Sequence, residues 1–327
     1  MSRKAIRALT LGLVVLVAAT AGMLVWGAAA YDEAGPLGED TTIVLPRGSS
    51  VGRISQILES RDVIAQPNLF RMVVRASGLS GSLRAGEYLI PARSSMRAVT
   101  ALLIDGETVV RRLTSAEGLT TAEILHIVEQ HKALTGTVPA NVPEGTLLPE
   151  TYHYAYGDSR RDMVDRMQKA MTDLIDELWP SRTVNLPIDT PAEAIILASI
   201  VEKETAVANE RARVAGVFVN RLRRGMRLQS DPTVVYALTA GSGPLGRRLT
   251  RDDLAMESPF NTYRIGGLPP GPIANPGRAS LAAVLNPVET DDLYFVADGE
   301  GGHAFAKTLA EHQKNVRRWR QIRDQQD

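Results

Sequence analysis

The chain has 327 residues, of which 37 are basic, 37 acidic and none cysteine, with 44% hydrophobic and 23% charged. A formal net charge of zero argues against a general nucleic-acid binder, which needs an excess of Lys and Arg to neutralise phosphates. Without cysteine, disulfides, thiolate chemistry, Cys-ligated metals and lipidation on cysteine are excluded, so stability has to come from buried cores.

From Ala8 to Ala30 no residue is charged. At about 1.5 Å of rise per residue such a run can cross a hydrocarbon core of roughly 30 Å, which predicts one transmembrane helix. Arg3, Lys4 and Arg7 precede it and Asp32 and Glu33 follow, a charge order that keeps residues 1–7 in the cytoplasm and everything after Tyr31 outside. A cleaved signal peptide is the alternative, because Ala28-Ala29-Ala30 is a small-residue site; the run is longer than the ~7–15 residues of a signal core. No later segment is long and apolar enough to span again.

A polar linker at 31–40 leads to Thr42–Leu45, which reads as a strand. A pattern then occurs three times: Pro46-Arg47-Gly48-Ser49-Ser50 before Ile54, Ile57 and Leu58; Arg93-Ser94-Ser95 before Val99, Leu102 and Leu103; and Gly118-Leu119-Thr120 before Ile124, Ile127 and Val128. Each is a strand end, a Ser or Thr cap and a short helix with apolar residues at three- and four-residue spacing. The first two resemble LysM-like glycan-binding modules, so the span 41–139 is expected to be a LysM-like α+β region. A plain spacer of small α+β units is the alternative.

Ala140–Gly145 is a Pro- and Gly-containing break, taken as the start of a second domain at 140–327. Helices are expected at Arg160–Leu178, Pro191–Ala206 and Glu210–Arg224, a buried strand at Leu293–Ala297 and a tight turn at Gly299–Gly302. Gly266-Gly267-Leu268-Pro269-Pro270-Gly271-Pro272 cannot be helical.

Thr190-Pro191-Ala192-Glu193 is a capping box with proline at the first helical position. The helix it starts is apolar for two turns and ends in Glu202-Lys203-Glu204-Thr205. Counting back from Glu204 by three, four, seven and eight gives Val201, Ile200, Leu197 and Ile196, the densest apolar stripe; counting back from Glu202 gives Ser199, Ala198, Ile195 and Ala194. A carboxyl on an apolar face is desolvated, and near a helix C-terminus the dipole further disfavours its ionised form, both raising its pKa toward that of a general acid. Glu204 is the candidate acid and Glu202 an ordinary exposed or ion-paired residue. Pairing of Glu204 with Arg211, Arg213 or Arg221 is the alternative that spacing leaves open.

Ile200–Thr205 resembles the helix end of lytic transglycosylases and goose-type lysozymes. The wider set Leu197–Thr205, Val217–Leu222, Leu228–Val234, Asn261-Thr262-Tyr263 and Gly267–Ile273 resembles the YceG-like endolytic murein transglycosylases, from about Glu144 to the C-terminus. Glu144–Tyr152 is similar to that family's Phe-Pro-Asp-Thr-Tyr-type segment, with Leu148 and Glu150 where the family has Phe and Asp.

The resemblance implies an α+β chain with an N-terminal transmembrane helix, LysM-like modules and a mixed α+β lytic-transglycosylase-like catalytic domain at the cytoplasmic (inner) membrane. It further implies cleavage of the MurNAc–GlcNAc bond of peptidoglycan to 1,6-anhydroMurNAc ends, with Glu204 as the single acid and base. No cofactor or metal is implied, and the expected partners are peptidoglycan strands, the membrane and cell-wall synthases. Asn220 and Arg221 are candidates for holding acetamido or lactyl groups, Gln229 and Asn261 for sugar hydroxyls, and Tyr152, with Tyr154 and Tyr156, for stacking on sugar faces. Asp231, in Gln229-Ser230-Asp231-Pro232, is the nearby candidate for a second carboxylate, which a hydrolase needs; an Asp before Pro is also a common turn or cap. The histidines (His126, His131, His153, His303, His312) form no HExxH pair, and neither GxSxG nor a P-loop is present. A muramidase-type hydrolase and a non-catalytic glycan-binding scaffold remain as competing functions.

Overall fold

The computed structural model describes residues 3–326. It is a mixed α+β chain in two compact units, one of residues 1–111 and 153–158 and the other of residues 112–152 and 159–327.

The first unit begins with α1 (Arg3–Asp32). Its segment Thr10–Asp32 is, among the described residues, the one helix long and apolar enough to cross a membrane. Most of its apolar side chains are exposed, Val15 by 60% and Leu24 by 70%, but Ala30 and Tyr31 at its end are buried. The strand expected at Thr42–Leu45 is β1 (Thr41–Leu45). It pairs antiparallel with β2 (Gly86–Ile90), Thr41 opposite Ile90 and Leu45 opposite Gly86. Between these strands run α2 (Val51–Ser60) and α3 (Pro67–Ala76), and α4 (Met96–Asp105) follows β2. The two serines read as caps act as caps: Ser50 accepts from the N–H of Arg53 and Ser95 from that of Ala98. The apolar faces so set out, with Ile43, Leu45, Leu58, Phe70, Val74, Tyr88, Ile90 and Leu103 buried, form the first core.

The chain reaches the second unit through β3 (Arg111–Thr114). There α5 (Thr121–Gln130) starts at the third predicted cap, Thr120, with Glu123 completing a capping box. After β4 (Thr151–Tyr154) comes α6 (Arg160–Leu178), with the bounds that its periodicity predicts. Next are α7 (Pro191–Glu204), α8 (Arg211–Arg223), α9 (Asp231–Thr239), α10 (Arg251–Ala255) and α11 (Arg278–Leu285). The hairpin β5 (Tyr294–Ala297) and β6 (His303–Ala306) turns through the expected Gly299–Gly302 segment, and α12 (Leu309–Gln326) closes the chain.

The capping box at Thr190 and Glu193 is formed. Behind it α7 is apolar all round, which marks a helix enclosed by its own domain. Leu197, Ala198, Ile200 and Val201 are buried against Val214 and Phe218 of α8 and Leu281 and Val284 of α11. The buried Ser199 fixes the Pro-rich loop to this helix by accepting the Ile273 N–H at 3.0 Å. The second core thus surrounds the helix that ends in the two carboxyls.

Candidate active site

Both carboxyls at the end of α7 are withdrawn from water, and their partners separate them. The Glu202 side chain is 5% exposed, faces Arg211 at 3.7 Å and accepts the Gly277 N–H at 2.9 Å. A buried carboxylate with a cation and a backbone donor is a structural anion. Glu204 has no ion pair within the described residues; its Oε1 accepts the Ser230 hydroxyl at 2.5 Å. Burial pushes its pKa up to about 7, against the Ser230 hydrogen bond, with the Asp231 charge raising it further and His303 and Arg221 lowering it. At neutral pH a large share of Glu204 is therefore protonated and able to give its proton away.

The segment Gln229–Asp231 is shaped to deliver that hydroxyl. Gln229 is held at φ 51°, in the left-handed region that non-glycine residues seldom occupy, and its N–H donates to the Thr262 carbonyl at 3.1 Å. Ser230 is the N-cap of α9, yet its side chain makes no capping bond. An N-cap serine normally satisfies a free N–H of the first turn, so its use on Glu204 breaks a local rule where sites commonly do. The Ser230 N–H is bound instead by Thr262 Oγ1 at 2.9 Å, and Thr233 Oγ1 donates to the Ser230 carbonyl at 2.6 Å.

Glu204 opens on a cavity of about 480 Å³ whose walls include Arg221, Gln229, Asp231, Tyr263, Tyr294, His312 and Trp319. The Tyr263 hydroxyl donates to Asp231 at 2.6 Å, and burial, that bond and the Asp231 charge push its own pKa up. Arg221 is buried and spent on backbone: its Nε donates to the Leu293 carbonyl at 2.7 Å and its Nη1 to that of Leu228 at 2.6 Å. Its guanidinium lies 5.4 Å from the Tyr294 ring, which in turn stacks on His312 at 5.1 Å. The His312 Nδ1 is buried with no hydrogen-bond partner among the described residues. Aromatic faces beside polar groups suit a sugar chain.

Of the predicted residues, Glu204, Arg221, Gln229 and Asp231 share this cavity. Asn220 faces elsewhere, its Nδ2 donating to the Thr290 and Asp292 carbonyls at 2.6 and 3.1 Å. The fully buried Asn261 folds its own loop: its Nδ2 donates to the Leu254 and Met256 carbonyls, and its Oδ1 accepts the Tyr263 N–H. Tyr152 donates its hydroxyl to the Leu148 carbonyl at 2.8 Å, and burial raises its pKa. The reading from sequence did not single out Ser230 or the α12 wall. Ser230 stands in the Gln-Ser-Asp-Pro motif, whereas α12 is charged over much of its length and its cavity-facing His312, Val316 and Trp319 are spaced by four and three. That spacing was the available signal.

No group of three or more His, Cys, Asp or Glu among the described residues could hold a metal ion. Replacing Ser230 with Ala is expected to raise the Glu204 pKa, since the hydrogen bond it removes favours the ionised form. A bond to a charged group contributes about 1.5–3 kcal/mol, so the alkaline limb of kcat/KM should move up by about one to two pH units, measurable in a pH–rate profile.

A carboxyl with its pKa raised to about 7, held by one hydroxyl and facing a cavity with aromatic walls, is a candidate general acid at the end of a buried helix of an α+β chain. The chain belongs to the YceG-like family, which matches residues 43–318. It is 32% identical over 303 residues to a Bacillus subtilis (strain 168) protein named endolytic murein transglycosylase, covering 83% of this chain and 82% of that one. A protein of that name from Streptococcus pneumoniae is 29% identical over 84% of this chain, which spans 57% of it. The crystal structure of a YceG-like protein from Listeria monocytogenes superposes with a TM-score of 0.53 at 32% identity, covering 84% of this chain and 98% of that one.

Proposed function

We propose that this protein is a membrane-anchored endolytic murein transglycosylase in which Glu204 is both acid and base. The observation that carries this is a carboxyl with its pKa raised to about 7, bound by one hydroxyl and open to a cavity. The activity named for the relatives supports it.

Protonated Glu204 gives its proton to the oxygen of the MurNAc–GlcNAc bond, which breaks at C1 of MurNAc. The C6 hydroxyl of the same sugar attacks C1 and closes the 1,6-anhydro ring, and the Glu204 carboxylate takes the hydroxyl proton. One carboxyl thus serves both transfers, and no water is consumed. Raising the pKa to the ambient range suits a group that must release and recover a proton in one cycle. Asp231 is tied to Tyr263, and in this scheme it tunes Glu204 through its charge rather than acting as a second base. Tyr294, Trp319 and His312 are assigned to the sugar faces and polar groups.

The same reading makes α1 a retained single span, with residues 1–7 cytoplasmic and both units outside. Its support is the length and apolarity of Thr10–Asp32 and the burial of Ala30 and Tyr31 at its end. The β1–β2 pair with its Ser-capped helices supports a LysM-like contact to glycan. So held, the enzyme cuts within strands near the membrane, beside cell-wall synthases, and sets their length. Product analysis tests the activity: purified sacculi treated with the protein should release fragments ending in 1,6-anhydroMurNAc. Reducing MurNAc ends would make it a muramidase, and binding without cleavage would make it a scaffold.

A further inference from the structure

Within the first unit, α1 (Arg3–Asp32) is exposed over most of its length but not at its C-terminal end. Its end is fastened: the Tyr31 hydroxyl and Thr100 Oγ1 are 2.6 Å apart, and Arg97 of α4 pairs with Asp32 while its guanidinium lies 5.4 Å from the Tyr31 ring. Beside this fastening, residues of α1, α3 and α4 line a groove of about 590 Å³. One wall is α1 itself, from Thr20 through Met23, Leu24 and Gly27 to Tyr31; the other is α3 and α4, with Met72, Val73 and Ile104. The volume falls within the ~300–1,000 Å³ of ordinary ligand sites, and apart from Arg97 the groove carries no charged residue.

What surrounds the α1 wall also fills the groove. On the proposed membrane-anchored reading, on which this inference rests, that medium is lipid. The wall from Thr20 to Tyr31 runs about 16 Å at about 1.5 Å per residue, against roughly 15 Å for half of a hydrocarbon core. The groove is therefore as deep as one leaflet. Its outer end bears Tyr31 and Arg97, an aromatic ring and a cation at the level where headgroups lie, and Trp26, 59% exposed, is on the same stretch of α1. Met72, 59% exposed on α3, is an apolar side chain at the rim that water would not favour and hydrocarbon would. We infer that the groove between α1 and the α3–α4 face is a binding site for one acyl chain of an outer-leaflet phospholipid, so that the first unit is seated in the leaflet rather than tethered above it.

The absence of cysteine allows single labels in the full chain. In phosphatidylcholine vesicles carrying chain-nitroxide lipid, an environment-sensitive fluorophore on Met72→Cys should be quenched to within about twofold of one on Val15→Cys in mid-span. It should be quenched at least threefold more than one on Gln56→Cys, which is exposed on α2. Adding Ala101→Phe, which fills the groove from α4, should halve the quenching at position 72 and leave that at 15 unchanged. If position 15 is quenched and 72 behaves like 56, the seated unit is refuted while the anchor stands. Quenching at 72 that is indifferent to Ala101→Phe refutes the bound chain. No quenching at position 15 refutes the span itself, and the groove site with it.

Discussion

Replacing Glu204 with Gln is expected to lower the rate of strand cleavage by about 10²–10⁴-fold, the range that a positioned general acid supplies, with little change in fold at neutral pH. The amide fills the same space and can still accept the Ser230 hydroxyl, but it has no proton of suitable acidity to give. Initial rates of anhydro-end release from sacculi measure this directly, and undiminished activity would assign the acid elsewhere. The same substitution has a stability signature. In the native state the Glu204 pKa is about 7, against 4.5 for a free glutamate, so between these values the folded protein holds a proton that the unfolded chain has lost. Wild-type stability contributed by the neutral carboxyl is complete below about pH 4.5 and declines as pH rises to about 7. At 1.36 kcal/mol per unit the decline is at most about 3 kcal/mol. The Gln variant lacks it, so its stability relative to wild type should improve from pH 4 to pH 8 in denaturant titrations.

Glu202→Ala should do the reverse, destabilising by about 3 kcal/mol at neutral pH while leaving the chemistry intact in whatever remains folded. Removing one partner of a buried pair costs about 3–5 kcal/mol because the other charge stays behind unpaired. Here the cation left is Arg211, 12% exposed, whose Nε is already without a hydrogen-bond partner among the described residues. The Gly277 N–H would also lose its acceptor. The low end of the range is expected because Glu117, whose carboxyl is pushed up by burial and by the Glu202 charge, is near enough to Arg211 to interact with it. Urea unfolding measures the loss, and the specific activity of the folded fraction should stay within about twofold of wild type. A large drop in that activity would give Glu202 a direct part in the reaction.

By helical spacing Glu204 lies on a dense apolar stripe and Glu202 on a thinner one. In the folded domain both stripes are buried, Ala194, Ala198 and Ser199 as fully as Leu197, Ile200 and Val201. Spacing ranks Glu204 above Glu202 by the density of its stripe, but it does not show that the Glu202 side chain is withdrawn from water as well, because a helix enclosed on all sides has no polar face. Glu202 is distinguished by Arg211, nine residues on, and by Gly277. Glu204 is distinguished by Ser230 and by facing the cavity.

The same division runs through the molecule. Signals acting within a few residues could be read directly: the apolar run of α1, the caps at Ser50, Ser95, Thr120 and Thr190, the bounds of α6, and the turn between β5 and β6. Capping bonds and side-chain periodicity are settled by neighbours in the chain, so the order of residues determines them. Only the tertiary structure decided that Ser230 gives its hydroxyl to Glu204 instead of capping α9, that Asn220 and Asn261 turn to backbone carbonyls, and that α12 walls the cavity. Ser230 and Asn220 meet partners 26 and 70 to 72 residues away, Asn261 meets its own loop only once that loop is folded and buried, and α12 walls the cavity by the helix face it turns inward; a buried polar atom takes whichever partner the packing brings within reach.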